Sequence, residues 1–265
     1  MKTSRKVLEE YVDNNQSFKT IASKLKVSSK TLRRKFSDIG LTEPKIVPGK
    51  CLIIMDTVYT RRGFGIMVFR DHYRKRNLYW KYVPHETNGE YISGIEYLEK
   101  QGWNILGIVC DGKRGILNSF GSIPVQLCQF HQIAIVTRYI TRKPKLLPNI
   151  ELKEIVSKLT TSTRDEFELL LFDWHERWEF FLKQKSKNPE THKVHYTHKR
   201  LRSAYRSIVS NLPYLFTYSK HPDLSMPNTS NSIEGKFSRI KTKLRNHTGL
   251  KLEKKKKILD YLLSK

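Results

Sequence analysis

The sequence predicts an α/β chain preceded by a small all-helical segment, and three observations predict it. Near residue 50 the apolar residues change from helical spacing to near-continuous runs. From there to about residue 128 such runs alternate with amphipathic stretches. Beyond that point the spacing is helical again almost to the end.

Residues 1–41 read as three short helices. Val7, Leu8, Tyr11 and Val12 give the first an apolar stripe. Ser17 stands where it can cap the second, which carries Phe18, Ile21, Ala22 and Leu25. A turn at Lys26-Val27-Ser28 follows, and Ser28 or Ser29 caps a third helix with Leu32 and Phe36 inward. This is helix-turn-helix spacing, with Lys26 where such turns usually carry glycine. Lys30, Thr31, Arg33, Arg34 and Lys35 occupy the outward positions of the third helix. That set suits a helix in a DNA major groove with flanking phosphate contacts; the alternative is a small bundle with a solvated basic face. Pro44, Pro48 and Gly49 mark residues 42–50 as a linker.

The segment 51–265 reads as the main domain. Cys51 to Tyr59 is a near-continuous apolar run, as in a buried central strand. Gly65–Phe69 and Leu78–Val83 read as two more strands, joined by a turn over 71–77 in an antiparallel meander. A helix from Tyr91 to Lys100, a strand from Ile105 to Cys110, a short helix from Lys113 to Phe120 and a strand from Pro124 to Cys128 complete the alternation. His131 to His221 reads as helical, interrupted at Pro189 and resuming over His198–Leu212, with Trp174 and Trp178 as core residues. Helices over Asn231–Arg245 and Leu250–Ser264 close the chain, and no internal repeat is present.

Composition restricts the partners. Fifty Lys and Arg against 25 Asp and Glu leave a formal charge of +25 over 265 residues. Such an excess calls for a polyanion, and phosphate neutralisation makes nucleic acid the leading choice. A membrane partner is excluded by the absence of any apolar run of bilayer length and of a terminal lipidation motif. Cys51, Cys110 and Cys128 form no C-x-x-C pair and are odd in number, which fits a reducing compartment. Met1 to Glu10 is charged, without an apolar signal segment, so the expected location is the cytoplasm.

Three acids stand out by position. Asp56 lies in the first strand run and Asp111 at the end of the fourth, so neighbouring strands can bring them together. Adjacent carboxylates resist joint ionisation unless a cation offsets them. Mg²⁺ or Mn²⁺ does so with oxygen ligands. A third carboxylate from a distant helix would complete two metal positions about 3.5–4 Å apart, suited to phosphoryl displacement. Glu234 is the candidate, because it borders the stripe Ile233, Phe237, Ile240 and Leu244. Asn231-x-x-Glu234 also spells a capping box, and on spacing alone the capping role is the stronger.

Taken together, Asp56 in Ile-Ile-Met-Asp-Thr, Asp111-Gly112, Cys128-Gln129-Phe130-His131, the run Asn228 to Gly235 and the run Leu244 to Leu250 form an ordered set. The chain resembles, over about residues 50 to 265, the DDE transposases of bacterial insertion sequences, specifically the Mutator-like superfamily. The resemblance implies an RNase H-like catalytic core with a mixed five-stranded sheet. It also implies an all-α insertion at about 135–225. It makes Asp56, Asp111 and Glu234 the ligands of two Mg²⁺ or Mn²⁺ ions, cutting transposon ends and joining them to target DNA. The implied protein is prokaryotic, acts on double-stranded DNA, and works as a homodimer or larger assembly. The Cys-rich ribbon that precedes the helical segment in many relatives is missing. Cys128-x-x-His131 matches a motif of the same superfamily, but two ligands do not make a structural zinc site; its expected role is packing or hydrogen bonding beside the acids. The alternatives are a non-catalytic DNA-binding regulator, including a domesticated transposase, and a metal-dependent nuclease of the same fold.

Overall fold

The structure, a computed structural model, describes residues 6–37, 46–113, 115–247 and 249–265. Residues 38–45, which include the first four of the expected linker, and the side chain of Lys35 lie outside the described set.

The N-terminal segment holds three helices, α1 (Glu9–Asp13), α2 (Phe18–Lys24) and α3 (Ser29–Ser37). Ser17 Oγ accepts the Thr20 N–H at 3.1 Å and caps α2. Ser28 Oγ accepts the Thr31 N–H at 3.0 Å, so Ser28 rather than Ser29 caps α3. Lys26, between them, takes a left-handed φ of 51°. Leu8, Val12, Ile21, Leu32 and Phe36 fill the centre, and Tyr11, Phe18 and Phe36 pack ring against ring.

Next comes a five-stranded mixed sheet flanked by helices. Its strands are β1 (Lys50–Arg61), β2 (Phe64–Asp71), β3 (Arg76–Val83), β4 (Asn104–Cys110) and β5 (Val125–Leu127), in the order β3-β2-β1-β4-β5. β1, β2 and β3 form the antiparallel meander, while β4 and β5 run parallel to β1. Helix α4 (Asn88–Lys100) provides the crossover into β4, with Thr87 Oγ1 capping its first turn. The helix expected over Lys113–Phe120 is a single 3₁₀ turn, Ile116–Asn118, among the described residues. Gly112, Gly115 and Gly121 take φ of 75°, 84° and 58°, outside the helical region, and so interrupt it.

Five helices follow: α5 (Gln129–Ile140), α6 (Leu147–Ser157), α7 (Arg164–Lys183), α8 (Lys199–Leu215) and α9 (Thr217–Lys220). They have their own core of Val136, Leu152, Phe167, Leu171, Trp174 and Ile208. Trp174 is buried and donates to Pro148 O at 3.0 Å, and Trp178 donates to Glu151 Oε2 at 2.8 Å, so both indoles are structural. The expectation of an all-α insertion fails at one place. Residues 185–196 form a two-stranded antiparallel hairpin, β6 (Lys185–Lys187) and β7 (Val194–Tyr196). Pro189 cannot continue a helix, and Asn188 Oδ1 accepts the N–H groups of Glu190 and Thr191, each at 2.9 Å, which closes a turn instead. Buried Gln126 fastens this helical layer to the sheet edge by donating to Leu215 O at 2.9 Å.

Two last helices, α10 (Asn231–Asn246) and α11 (Leu252–Leu263), return to the sheet. Ile233, Phe237 and Ile240 of α10 and Leu259 of α11 pack with Leu52, Ile54, Val68 and Val109 on one sheet face. The opposite face packs Cys51, Ile53, Met55, Ile108 and Cys110 against Tyr91, Ile95 and Leu98 of α4. Helix α11 is apolar on a second side as well, where Ile258 and Tyr261 join the core of α1–α3. Among the described residues, no helix is long and apolar enough to cross a membrane.

Candidate active site

Parallel pairing aligns Leu52 with Gly107, Ile53 with Ile108 and Ile54 with Val109. Two residues further along each strand, Asp56 comes level with Asp111. Side chains alternate along a strand, so Asp56 shares the face of Leu52 and Ile54, and Asp111 that of Val109. This is the face covered by α10. Gly112 then turns the chain with a φ of 75°, and an ideal Cβ there would lie 2.2 Å from Leu127 Cδ1. The turn lets the Lys113 N–H reach back to Asp111 Oδ1 at 3.3 Å. Asp56 Oδ1 accepts the Thr57 N–H at 2.7 Å.

Glu234 arrives through a lock between the start of α5 and the segment before α10. Cys128 N–H donates to Cys110 O at 2.8 Å and ties the lock to β4. Gln129 N–H donates to Asn228 O at 3.0 Å, and Asn228 Nδ2 donates back to Gln129 Oε1 at 2.9 Å. Cys128 Sγ accepts from both the N–H and the hydroxyl of Ser230, at 3.3 and 3.2 Å. Ser230 Oγ is also 3.1 Å from Glu234 Oε1. The capping box expected at Asn231-x-x-Glu234 is therefore not formed. Asn231 is the first helical residue, Ser230 precedes it without a side-chain cap, and the Glu234 carboxylate turns to Ser230 and to His131 Nδ1, 3.8 Å away.

The charges press on one another. Burial first, then the Asp111 and Glu234 carboxylates, push Asp56 up to about 7, against the pull of His131 and the Thr57 N–H. Burial and Asp111 also raise Glu86. His131 is pushed up to about 9 by the neighbouring Cys128 sulfur, with Asp56 and Asp111 adding to the effect against its burial. Burial alone would raise the Cys128 thiol, but His131 and Ser230 together outweigh it and hold the thiol below its ordinary value. Asp56 is thus a buried carboxylate beside Asp111, and His131 and the Thr57 N–H offset only part of the combined effect. Hard oxygen donors with unmet negative charge fit Mg²⁺ or Mn²⁺.

Sequence reasoning missed Glu86. It lies three residues past the end of β3, and Tyr91 OH donates to its Oε1 at 3.0 Å while lying 2.9 Å from Thr57 Oγ1. Lys113 Nζ bonds the Glu86 carbonyl oxygen. A chain of contacts thus joins Glu86 to the residue after Asp56 and the second residue after Asp111. The usable signal was an acid just past a strand end, which had marked Asp111.

On α3, Lys30, Arg33 and Arg34 are exposed, and the Arg33 guanidinium lies 5.8 Å over the Phe18 ring. Thr31 is half-buried, with its hydroxyl 2.9 Å from Ser28 Oγ in the cap, so it holds the helix start. No protein-family model matches the chain, and no curated protein matches it.

Proposed function

We propose that this chain is a DNA transposase with an RNase H-like core that cuts transposon ends and joins them to target DNA. The observation that carries the reading is the pair of acids, Asp56 and Asp111, set level by the adjacent strands β1 and β4, with Asp56 pushed up to about 7 by burial, by Asp111 and, least, by Glu234. The sheet, an antiparallel meander extended by two parallel strands, is compatible with that core.

In this reading Asp56, Asp111 and Glu234 hold two Mg²⁺ or Mn²⁺ ions. Held there, such a pair would supply activation of the attacking water or 3′-hydroxyl and stabilisation of the departing oxygen. Asp56 and Asp111 are fixed by adjacent strands, so their separation is set by the sheet. Glu234 comes from α10 and is set by the Cys128–Ser230 lock. Glu86 and Tyr91 brace the far side. The net charge of +25 supports binding to phosphates along a duplex. Lys30, Arg33, Arg34 and Lys35 on α3 are the assigned contacts to the element ends, in helix-turn-helix fashion. Pairing two ends calls for a dimer, acting on the DNA of a prokaryotic cytoplasm.

The test is incubation with duplexes carrying the flanking element ends in Mg²⁺, scoring nicks, breaks and joined products. Cleavage and joining that both vanish in Asp56→Asn support the reading. Cleavage without joining identifies a nuclease, and binding without either identifies a regulator.

A further inference from the structure

We propose that Cys128, His131 and Glu234 form a second cation site, selective for a zinc-class ion and sharing Glu234 with the all-oxygen site. The sulfur of Cys128, a ring nitrogen of His131 and a carboxylate oxygen of Glu234 all lie within 4.8 Å of one another. Zinc bonds of about 2.3 Å to sulfur and 2.0–2.2 Å to nitrogen and oxygen put tetrahedral ligands roughly 3.3–3.7 Å apart. The 3.8 Å between His131 Nδ1 and Glu234 Oε1 is close to that spacing.

Two further observations point to a ligand. His131 Nδ1 is buried and has no hydrogen-bond partner, although buried ring nitrogens normally find one. Cys128 Sγ accepts two hydrogen bonds from Ser230, the kind of support that steadies a thiolate ligand. Cys128 immediately precedes α5, His131 lies in its first turn and Glu234 in the first turn of α10, so the lock between those segments builds the site. Three protein ligands with one open position is a known arrangement for zinc sites that keep a place for water or another ligand. Sulfur and imidazole favour zinc-class ions over Mg²⁺, whereas Asp56 and Asp111 offer only hard oxygen.

The consequence rests on the transposase reading: an ion held by Cys128 and His131 draws Glu234 away from Asp56 and Asp111. Zinc-class ions then inhibit, and the Mg²⁺-dependent reaction proceeds when Cys128 and His131 are vacant.

Co²⁺ titration of the full chain tests the site without reference to activity. One equivalent is expected to give a thiolate-to-cobalt charge-transfer band and intense tetrahedral d–d bands, bleached by Zn²⁺. Asp56→Asn and Cys51→Ser retain both signals, and Cys128→Ser loses the charge-transfer band. Should Cys128→Ser fail to fold, His131→Ala serves, since it leaves the thiol in place and removes the tetrahedral pattern. No thiolate band in the natural chain, or an unaltered spectrum in the folded Cys128→Ser or His131→Ala variant, overturns the site. A chain that gives these bands but never cuts DNA in Mg²⁺ retains the site and loses the transposase reading. In a cleaving preparation, stoichiometric Zn²⁺ is expected to slow the natural chain tenfold or more relative to Cys128→Ser or His131→Ala. Equal inhibition with and without the site overturns the coupling.

Discussion

The two faces of the central sheet are built from the same strands by the same alternation, yet they do different work. Cys51, Ile53 and Met55 of β1 and Ile108 and Cys110 of β4 point to α4, where every neighbour along the strand centre is apolar. Leu52, Ile54 and Val109 point to α10 and continue into Asp56 and Asp111. One face is a closed core, and the other is a core that ends in a pair of acids. The difference lies in where each apolar series stops. On the α4 side it runs through to Cys110. On the α10 side it gives way to carboxylates at the strand ends, where burial and mutual repulsion hold Asp56 near 7.

Substituting neighbours on opposite faces is the strongest way to break this comparison. Asp56→Asn is expected to lower Mg²⁺-dependent DNA cleavage by roughly 100- to 1000-fold, the range for removing a group that organises transition-state charge. Its melting temperature at pH 8 should equal or exceed that of the natural chain, because a repelled carboxylate becomes neutral. Met55→Ala should do the reverse. Met55 is fully buried, and its truncation is expected to destabilise by about 2–5 kcal/mol in denaturant unfolding. Cleavage per folded molecule should stay near the natural rate. If Asp56→Asn instead lowers stability by kilocalories and leaves cleavage intact, the two faces are equivalent and the acids are structural.

Gly112 lies at the edge between the two roles. A side chain there must take a φ of 75° and meet Leu127 at 2.2 Å. Gly112→Ala is therefore expected to destabilise by about 2–3 kcal/mol. It should also lower cleavage beyond the loss of folded protein, because the turn aims Asp111. A loss of stability alone would separate the turn from the site.

How much of this was legible depended on whether the signal was local. Asp56 and Asp111 could be read from strand runs, since alternation and run length are properties of a few consecutive residues. Glu234 could not be settled, because a glutamate in the first helical turn reads the same as a cap or as a ligand. Only the long-range bond network from Cys128 through Ser230 decides that the carboxylate turns to Ser230 and His131 rather than closing a capping box with Asn231. Glu86 was hidden for a related reason: its partners, Tyr91 and Asp111, are brought to it by the crossover of α4. The hairpin at 185–196 was masked by amphipathic helices on either side, with Pro189 as its one local sign. The docking of α1–α3 on α11 joins residues some 240 apart in sequence; Ile258 and Tyr261 looked like ordinary members of an amphipathic helix.

Glu86 offers a finer division, because its anchor Tyr91 belongs to α4 while its charge is felt by the acids. Its carboxylate is raised by burial and Asp111 and anchored by Tyr91 OH, so it supports the site from behind. Glu86→Gln keeps the Tyr91 hydrogen bond while removing the charge. Mg²⁺ affinity, followed by the ion's thermal stabilisation of the protein, should weaken roughly tenfold, as for other groups that steady metal ligands. Cleavage at saturating Mg²⁺ should fall far less than in Asp56→Asn. A loss as deep as that of Asp56→Asn would make Glu86 a fourth member of the acid set.

The smallest effect tests how far the α10–α11 side extends beyond the sheet. His247, at the end of α10, is buried and stacks on Tyr11 with ring centroids 4.3 Å apart. Burial and the nearby Lys243 ammonium hold its pKa below the ordinary 6.5, against a hydrogen bond to the Val12 backbone. Lys243 cannot move away freely, because its Nζ donates to Asp13 O at 2.8 Å. Asp13 in turn is engaged by Tyr261 OH at 2.7 Å and by Lys265. The unfolded chain therefore binds a proton at His247 at a higher pH than the folded chain does. Stability from this group is complete above about 6.5 and declines as pH falls through that value towards the folded pKa. Denaturant unfolding of the natural chain between pH 7.5 and 5.5 should lose more stability than that of His247→Phe, which keeps a ring against Tyr11 but cannot titrate. Identical pH dependence in the two proteins would mean that His247 gains or loses nothing on folding, and that the contact between α1–α3 and α10 is indifferent to its charge.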